Sequence, residues 1–231
     1  MSHRLRSSKY RHVYTEGPKP NGTFTNIVPH PSGGDHAGIY CNTKYWAVGT
    51  KGGGGPVLVY PFAKPGVVPT DAVKLNGHTQ DVLDMAFHPF YQDLLVTGSQ
   101  DCHVNLWRIP EGGPTDPAQE PLSVLTGCKK KVMYTLFNPS ADNVLATADG
   151  NKTVSIFDVQ TSSLVHADKA MHKKLIQDLK WNGDGSMLCT ASKDRCLRFF
   201  DLRQPGSATV VEDVHKGLKT FKMAFLDNHN Q

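Results

Sequence analysis

From Leu75 to Arg108 the chain alternates short apolar runs with turn residues. One run ends in Phe87-His88-Pro89, a second in Thr97-Gly98-Ser99-Gln100-Asp101, and a third on Trp107. Runs this short, bounded by Gly, Pro, Asn and Asp, predict strands rather than helices. The pair Gly77-His78 opens the unit, and the arrangement recurs. With His78 as origin, the matching positions are Cys128, His172 and His215, at intervals of 50, 44 and 43 residues. An aromatic ends the first strand nine positions on, at Phe87, Phe137 and Trp181. Another closes each copy 28 or 29 positions on, at Trp107, Phe157 and Phe200.

A period of about 40–45 residues, with three strands per copy, a Gly-His start and an aromatic end, predicts an all-β WD40 β-propeller. The chain supplies about four blades and the first strand of a fifth. Boundaries are expected near 35–74, 75–121, 122–168 and 169–213, with the fifth blade starting over 214–226. The first blade, built from Gly38–Cys41, Tyr45–Thr50 and Pro56–Tyr60, lacks the Gly-His and Trp-Asp marks. Residues 1–34 form a basic segment ahead of it. Within that segment Ser8–Tyr14 reads as a strand completing the last blade of a closed ring, and Gly17–Ala37 as an irregular lead-in. Four blades would leave an open, aggregation-prone edge, so the chain is expected to be an N-terminal part of a seven-bladed ring. Gly52-Gly53-Gly54-Gly55 invites a phosphate-loop reading, but the GxxxxGK[ST] pattern is missing and no helix follows. It reads as a wide turn between strands.

Two further offsets carry chemistry. Six residues before each closing aromatic stand Asp101, Asn151 and Asp194; ten before it stand Thr97, Thr147 and Thr190. In a WD blade these positions form a buried chain in which indole N–H meets hydroxyl, hydroxyl meets imidazole, and carboxylate holds the imidazole. His78, Thr97, Asp101 and Trp107 supply all four groups. The next copy has Cys128, Thr147, Asn151 and Phe157, so imidazole, carboxylate and indole are lost together, as the cost of an unpaired buried charge favours. The fourth blade keeps His172, Thr190 and Asp194 but has Phe200. A catalytic triad of His78, Asp101 and Thr97 is the sharper reading; repetition at blade spacing makes it a structural staple.

Composition narrows the class. The 231 residues are 39% hydrophobic, enough for a sizeable core, and a formal charge of +4 does not by itself imply nucleic acid. Five cysteines, Cys41, Cys102, Cys128, Cys189 and Cys196, form no CxxC pair. They read as free, mostly buried thiols of a reducing compartment. The basic N-terminus lacks the apolar core of a signal peptide, and no run reaches the roughly 18 apolar residues of a membrane span. No paired carboxylates, nucleophile–base pair or metal cluster stands outside the staple positions, so neither an enzyme nor a cofactor is expected.

Five motifs, in order, resemble the coronin family. Ser8-Lys9-Tyr10-Arg11-His12-Val13 is similar to its opening SKFRHV, and the four glycines to its glycine-rich first-blade turn. Gly77-His78 with Val82-Leu83-Asp84 follows its GH-x3-VLD strand. Trp107-Arg108-Ile109-Pro110 follows its WxIP, and Asn138-Pro139-Ser140-Ala141-Asp142-Asn143-Val144-Leu145 its NP-x-A-x-NVL segment. The resemblance implies a cytoplasmic, cytoskeleton-associated protein that binds filamentous actin. The family's C-terminal coiled coil is absent here, so oligomerisation is not expected for this chain. Animal members carry a basic filament-binding residue after a Tyr-x-Asp-Ile segment; here Phe24-Thr25-Asn26-Ile27 is followed by Val28, and that contact is missing.

The register offers substitutes. The residues after the His position share one rim: Lys129, Lys130 and Lys131 in the third blade, Lys173 and Lys174 in the fourth, Lys216 and Lys219 in the fifth. The second blade has Thr79, Gln80 and Asp81 instead. Seven lysines on neighbouring loops suit an acidic filament face, whereas the bland alternative is a solvated surface. Arg4, Arg6, Lys9 and Arg11 are a second candidate patch. The same lysines would serve a general WD40 scaffold or a module for acidic phospholipids. Nucleic acid is not expected, because no aromatic platform accompanies the lysines.

Overall fold

The middle strands, such as Leu94–Ser99 and Val104–Arg108, are buried on both faces and so do not alternate, whereas outer ones such as Ser163–Asp168 and Ala208–Val211 are largely open to water. The structure, a computed structural model, describes residues 17, 19–31, 38–168, 172–204, 208–214, 220 and 222–226. A short 3-10 turn, Pro20–Gly22, leads into β1 (Phe24–Thr25). The first four-stranded sheet begins with β2 (Ile39–Cys41), β3 (Tyr45–Gly49) and β4 (Val57–Pro61). The chain then forms β5 (Gly66–Val67), which pairs parallel with β1, and returns as β6 (Lys74–Leu75) to complete the sheet. The second sheet is β7 (Val82–Phe87), β8 (Leu94–Ser99), β9 (Val104–Arg108) and β10 (Ser123–Leu125). The third is β11 (Val132–Phe137), β12 (Val144–Asp149), β13 (Val154–Asp158) and β14 (Ser163–Asp168). The fourth is β15 (Ile176–Trp181), β16 (Met187–Ser192), β17 (Leu197–Asp201) and β18 (Ala208–Val211). Each of the four four-stranded sheets is an antiparallel meander in sequence order, a propeller blade.

The core lies between blades. Leu95 and Trp107 join Tyr45, Val57 and Leu75 of the first sheet, while their neighbours Val96 and Leu106 join Leu145 and Phe157 of the third. Tyr134 and Ile156 then meet Leu179, Trp181 and Phe200 of the fourth. Residues 222–226 cover the far face of that sheet, where Phe225 stands edge-on to Phe199 and Met223 touches Cys189. The lead-in is less irregular than its composition suggests. Phe24 packs edge-on against Trp46, and Val68 completes a cluster on the first sheet's free face.

A polar latch repeats on the rim opposite the Gly-His loops. In the first three sheets the residue after the first strand turns its side chain back on its own loop and across to the next blade. Asn42 accepts the N–H groups of Lys44 and Tyr45 and donates to the Gln92 carbonyl at 2.8 Å. Asn138 accepts from Ser140 and Ala141 and donates to Gly185 at 2.8 Å. His88 does the same with a ring: Nδ1 accepts from Phe90 and Tyr91, so Nε2 carries the proton donated to Asp142 at 2.6 Å.

The first strands of the sheets line an open hollow of about 620 Å³. At its wall Asp84 joins three blades: it accepts from the Tyr40 hydroxyl and, at 2.6 Å, from the Thr135 backbone N–H. Asp178 repeats the motif, accepting from the Met223 N–H at 2.7 Å with Lys180 and Lys222 nearby. Burial pushes the Asp84 carboxyl up to about 6, against the pull of its hydrogen-bond donors. A carboxyl raised in the folded state contributes most stability below its unfolded pKa near 3.8, and loses that contribution as pH rises through about 6. Asp84→Asn keeps an acceptor for Thr135 and removes the titration. Between pH 4 and 7 the stability difference between wild type and variant is expected to move by about 2–3 kcal/mol in the variant's favour. Urea titrations across that range measure it; a difference independent of pH would refute the assignment.

Candidate functional site

The Gly-His loops and the turns between second and third strands share one rim because backbone hydrogen bonds tie them together. Gln100 N–H donates to Asp81 O at 2.9 Å, Gly150 N–H to Lys131 O at 2.9 Å, and Lys193 N–H to Leu175 O at 3.0 Å. Below this rim lies the staple. In the second blade Trp107 Nε1–H donates to Thr97 Oγ1 at 2.9 Å, and the Thr97 hydroxyl lies 2.7 Å from His78 Nε2. His78 Nδ1 lies 2.9 Å from Asp101 Oδ2. Thr97 thus donates to Nε2 and Nδ1–H donates to the carboxylate, a neutral imidazole in one tautomer.

Burial lowers the His78 pKa despite the opposing pull of Asp101. For Asp101 burial acts upward, but the N–H groups of Thr79 and His103 and the imidazole outweigh it, leaving its pKa lowered. The fourth blade repeats the set: His172 Nε2 lies 2.8 Å from Thr190 Oγ1 and Nδ1 lies 3.1 Å from Asp194. Phe200 sits where Trp107 sits, without a donor. His78, Thr97, Trp107, His172 and Thr190 are all buried within their blades.

The third blade departs from expectation. Its carboxylate is not lost; it stands two residues earlier, at Asp149, whose Oδ1 accepts the N–H groups of Asn151 and Thr153 at 2.8 and 2.9 Å. The smaller Cys128 replaces the imidazole and lies 3.6 Å from Thr147 Oγ1, with burial pushing its thiol up to about 11. The cysteines differ from expectation too. All five are free, but only Cys189 is buried; Cys41 is exposed and Cys102, Cys128 and Cys196 are half-buried. They fall at blade turns and strand ends, where one side faces water.

The staple carboxylates also clamp the loops above them. Asp194 Oδ2 accepts the Lys173 backbone N–H at 2.8 Å, and Ser192 Oγ donates to the Lys174 carbonyl at 3.0 Å. Lys129, Lys130, Lys131, Lys173 and Lys174 are all exposed, and none of their ammonium groups is ion-paired among the described residues. The turns add cations that the loop register missed. Lys152, Lys193 and Arg195 flank the turn positions of Asn151 and Asp194. Lys152 and Arg195 hold positive φ of 65° and 68°, as Cys102 does at 71° in the second blade. Arg195 pairs with Asp213 at 3.0 Å across an exposed contact, a pairing worth little in water. The signal for these residues was present: they stand five and seven positions before the closing aromatics.

Lys216, Lys219, His215, Arg4, Arg6, Lys9 and Arg11 lie outside the described residues, as does the strand expected at Ser8–Tyr14. Val28 is 62% exposed at the lip of a small cleft that Lys51 and Lys74 also line. Among the described residues no group of three or more His, Cys, Asp or Glu side chains is arranged to hold a metal ion. No helix there is long and apolar enough to cross a membrane.

Comparison with known proteins agrees with the blade register. Residues 3–67 match a family described as a domain of unknown function, DUF1899, and residues 70–108 and 168–201 match the WD domain, G-beta repeat. The chain is 38% identical to Coronin-A of Dictyostelium discoideum over 97% of its own length and 50% of the relative's. It is 30% identical to a coronin-like protein of Saccharomyces cerevisiae over 98% of its length and 36% of the relative's. The WD40 domain of Toxoplasma gondii coronin superposes with a TM-score of 0.79 at 29% identity, covering 87% of this chain and 51% of that one. The chain thus spans half or less of the length of these curated relatives. Ordered motifs, the blade register, and likeness in both sequence and fold converge on one assignment: this chain belongs to the coronin family.

Proposed function

We propose that this chain is the filament-binding part of a non-enzymatic, cytoskeleton-associated protein of the cytoplasm, and that its partner is filamentous actin. The observation carrying this reading is the run of exposed, unpaired lysines, Lys129–Lys131 and Lys173–Lys174, on adjacent loops of one rim. The loops are held in place from below, so little ordering cost remains when the lysines meet an acidic surface. Long-range attraction of this kind raises encounter rates and fades with salt. The coronin resemblance supplies the identity of the partner, and the rim supplies the chemistry.

Co-sedimentation of residues 1–231 with actin filaments at low and high salt tests it. Pelleting is expected at low salt and to weaken as salt rises. Reversing Lys129, Lys130 and Lys131 to glutamate is expected to weaken binding by about 10- to 100-fold, since each rim charge contributes on the order of 0.5–1 kcal/mol. The control is Lys44→Glu, on the opposite rim. Retained binding by the triple variant would remove the rim from the filament contact. Pelleting with anionic vesicles but not with filaments would transfer the same lysines to a lipid surface.

A further inference from the structure

The first blade carries a second basic site on the same side of the molecule. The turn that begins at Lys51 presses against the Gly-His loop of the second blade, so Lys51 stands on the lysine rim. Beside it opens a cleft of about 140 Å³, with Leu58 and Val68 as its apolar floor, Val28 and Thr70 at its edges, and Lys51 and Lys74 on its walls. Leu58 and Val68 are only 3% and 2% exposed, so the floor is fixed by the core beneath. The wall made by the lead-in is fixed as well. Asn26, at φ 64°, donates from Nδ2 to the Val68 carbonyl at 2.7 Å and to Thr70 Oγ1 at 3.3 Å. Pro29 bridges to Thr50, and His30 N–H donates to Gly49 O at 2.8 Å.

Neither Lys51 nor Lys74 is ion-paired among the described residues. Asp71, next to Thr70 in the chain, makes no ion pair with either, and Asp81 lies 3.6 Å from His30 instead. Lys74 is half-buried in β6, so its aliphatic stem lies along the wall while its ammonium reaches water. Small-molecule sites enclose about 300–1,000 Å³; this cleft has room for one side chain. Its apolar floor suits methylenes, and its two cations suit a carboxylate at their tip.

We propose that this cleft receives an acidic side chain, best a glutamate, from a protein partner, with its methylenes on Leu58 and Val68 and its carboxylate between Lys51 and Lys74. The proposal extends the filament contact to the first blade and rests on that reading for the identity of the partner. It also gives the second blade, which has no lysines on its loop, basic neighbours on both sides.

Two arms separate the site from the partner. In the first, residues 1–231 are incubated with an acetylated tetraglutamate peptide and a zero-length carbodiimide, and the amide-linked lysines are mapped by mass spectrometry. Lys51 and Lys74 are expected to be linked about fivefold or more above Lys44, an exposed lysine on the opposite rim that serves as internal standard. Val28→Glu, which places a carboxylate at the lip, should reduce that linkage. Linkage of Lys51 and Lys74 no greater than that of Lys44 overturns the proposal, whatever filaments do. In the second arm, filament pelleting by wild type is compared with the Lys51→Glu/Lys74→Glu variant, and a loss of about fivefold or more is expected. Unchanged pelleting by the variant removes the cleft from the filament contact. Wild type that fails to pellet refutes the actin reading alone, and the linkage pattern then decides the cleft.

Discussion

Asp101→Ala is expected to destabilise the chain by about 2–4 kcal/mol, because it leaves the buried His78 Nδ1–H unpaired and releases two backbone N–H groups of the turn. The carboxylate side chain is 7% exposed and holds three groups: the His78 Nδ1–H, the Thr79 N–H at 3.0 Å and the His103 N–H at 3.0 Å. Each buried donor without an acceptor costs about 1–3 kcal/mol. The imidazole cannot compensate by flipping, since Nε2 already receives the Thr97 hydroxyl, which in turn receives the Trp107 indole. Asn151→Ala, at the matching turn position of the third blade, is the control. Asn151 is exposed and its turn is capped by Asp149, so the expected change is within about 0.5 kcal/mol.

The pH dependence carries a second signature of the same staple. Burial lowers the His78 pKa while Asp101 pulls it upward, so loss of the carboxylate lowers it further. A His depressed in the folded state contributes stability that is present above its unfolded pKa near 6.5 and lost as pH falls through the folded value. The variant's deficit should therefore widen on acidification from pH 7.5 toward 5. Urea titrations at both ends of that range measure it, and equal costs for Asp101→Ala and Asn151→Ala would sink the staple as an energetic unit.

What could be read from the chain follows from where repetition constrains side chains. The middle strands of the blades bury both faces, so a run such as Leu94–Ser99 is buried throughout, does not alternate, and is bounded by turns. The staple positions are equally legible, because indole, hydroxyl, imidazole and carboxylate must meet at fixed offsets. The third-blade carboxylate escaped because Asp149 does its work through backbone N–H groups from a different offset. The latches at Asn42, His88 and Asn138 were hidden for another reason. A polar residue after a strand looks like an ordinary turn residue, and its partner carbonyl lies about one blade further along the chain. The β1–β5 pair was invisible because two-residue strands have no period to detect. The turn cations stand at fixed offsets before the closing aromatics, but only the folded backbone ties their turns to the lysine loops, through Gly150 N–H on Lys131 O and Lys193 N–H on Leu175 O.

Gly55→Ala is expected to cost about 2–5 kcal/mol, and Gly53→Ala, two residues away, close to nothing. Gly55 has a φ of +59°, where a Cβ costs about 1–2 kcal/mol. Its added Cβ would also lie 2.5 Å from the Gln80 carbonyl oxygen and 2.6 Å from the Val82 nitrogen. Both are backbone atoms of the second blade's Gly-His loop, so no rotamer change relieves the contact, and overpacking of this kind adds about 1–3 kcal/mol. Gly53 meets nothing within 4 Å, and its φ is not among the positive values. Alanine there is expected to be neutral or slightly stabilising, through the unfolded chain. The contrast gives the four-glycine turn a purpose that is neither phosphate binding nor slack. It brings the first blade's turn into backbone contact with the second blade's loop, which holds His78 on one side and sets Lys51 on the rim on the other. A Gly55→Ala chain that still folds should therefore lose the preferential carbodiimide linkage of Lys51 over Lys44. Thermal and urea unfolding of the two variants measure the energetic half of the argument, and a Gly55→Ala chain as stable as Gly53→Ala would show that the two loops are not in contact.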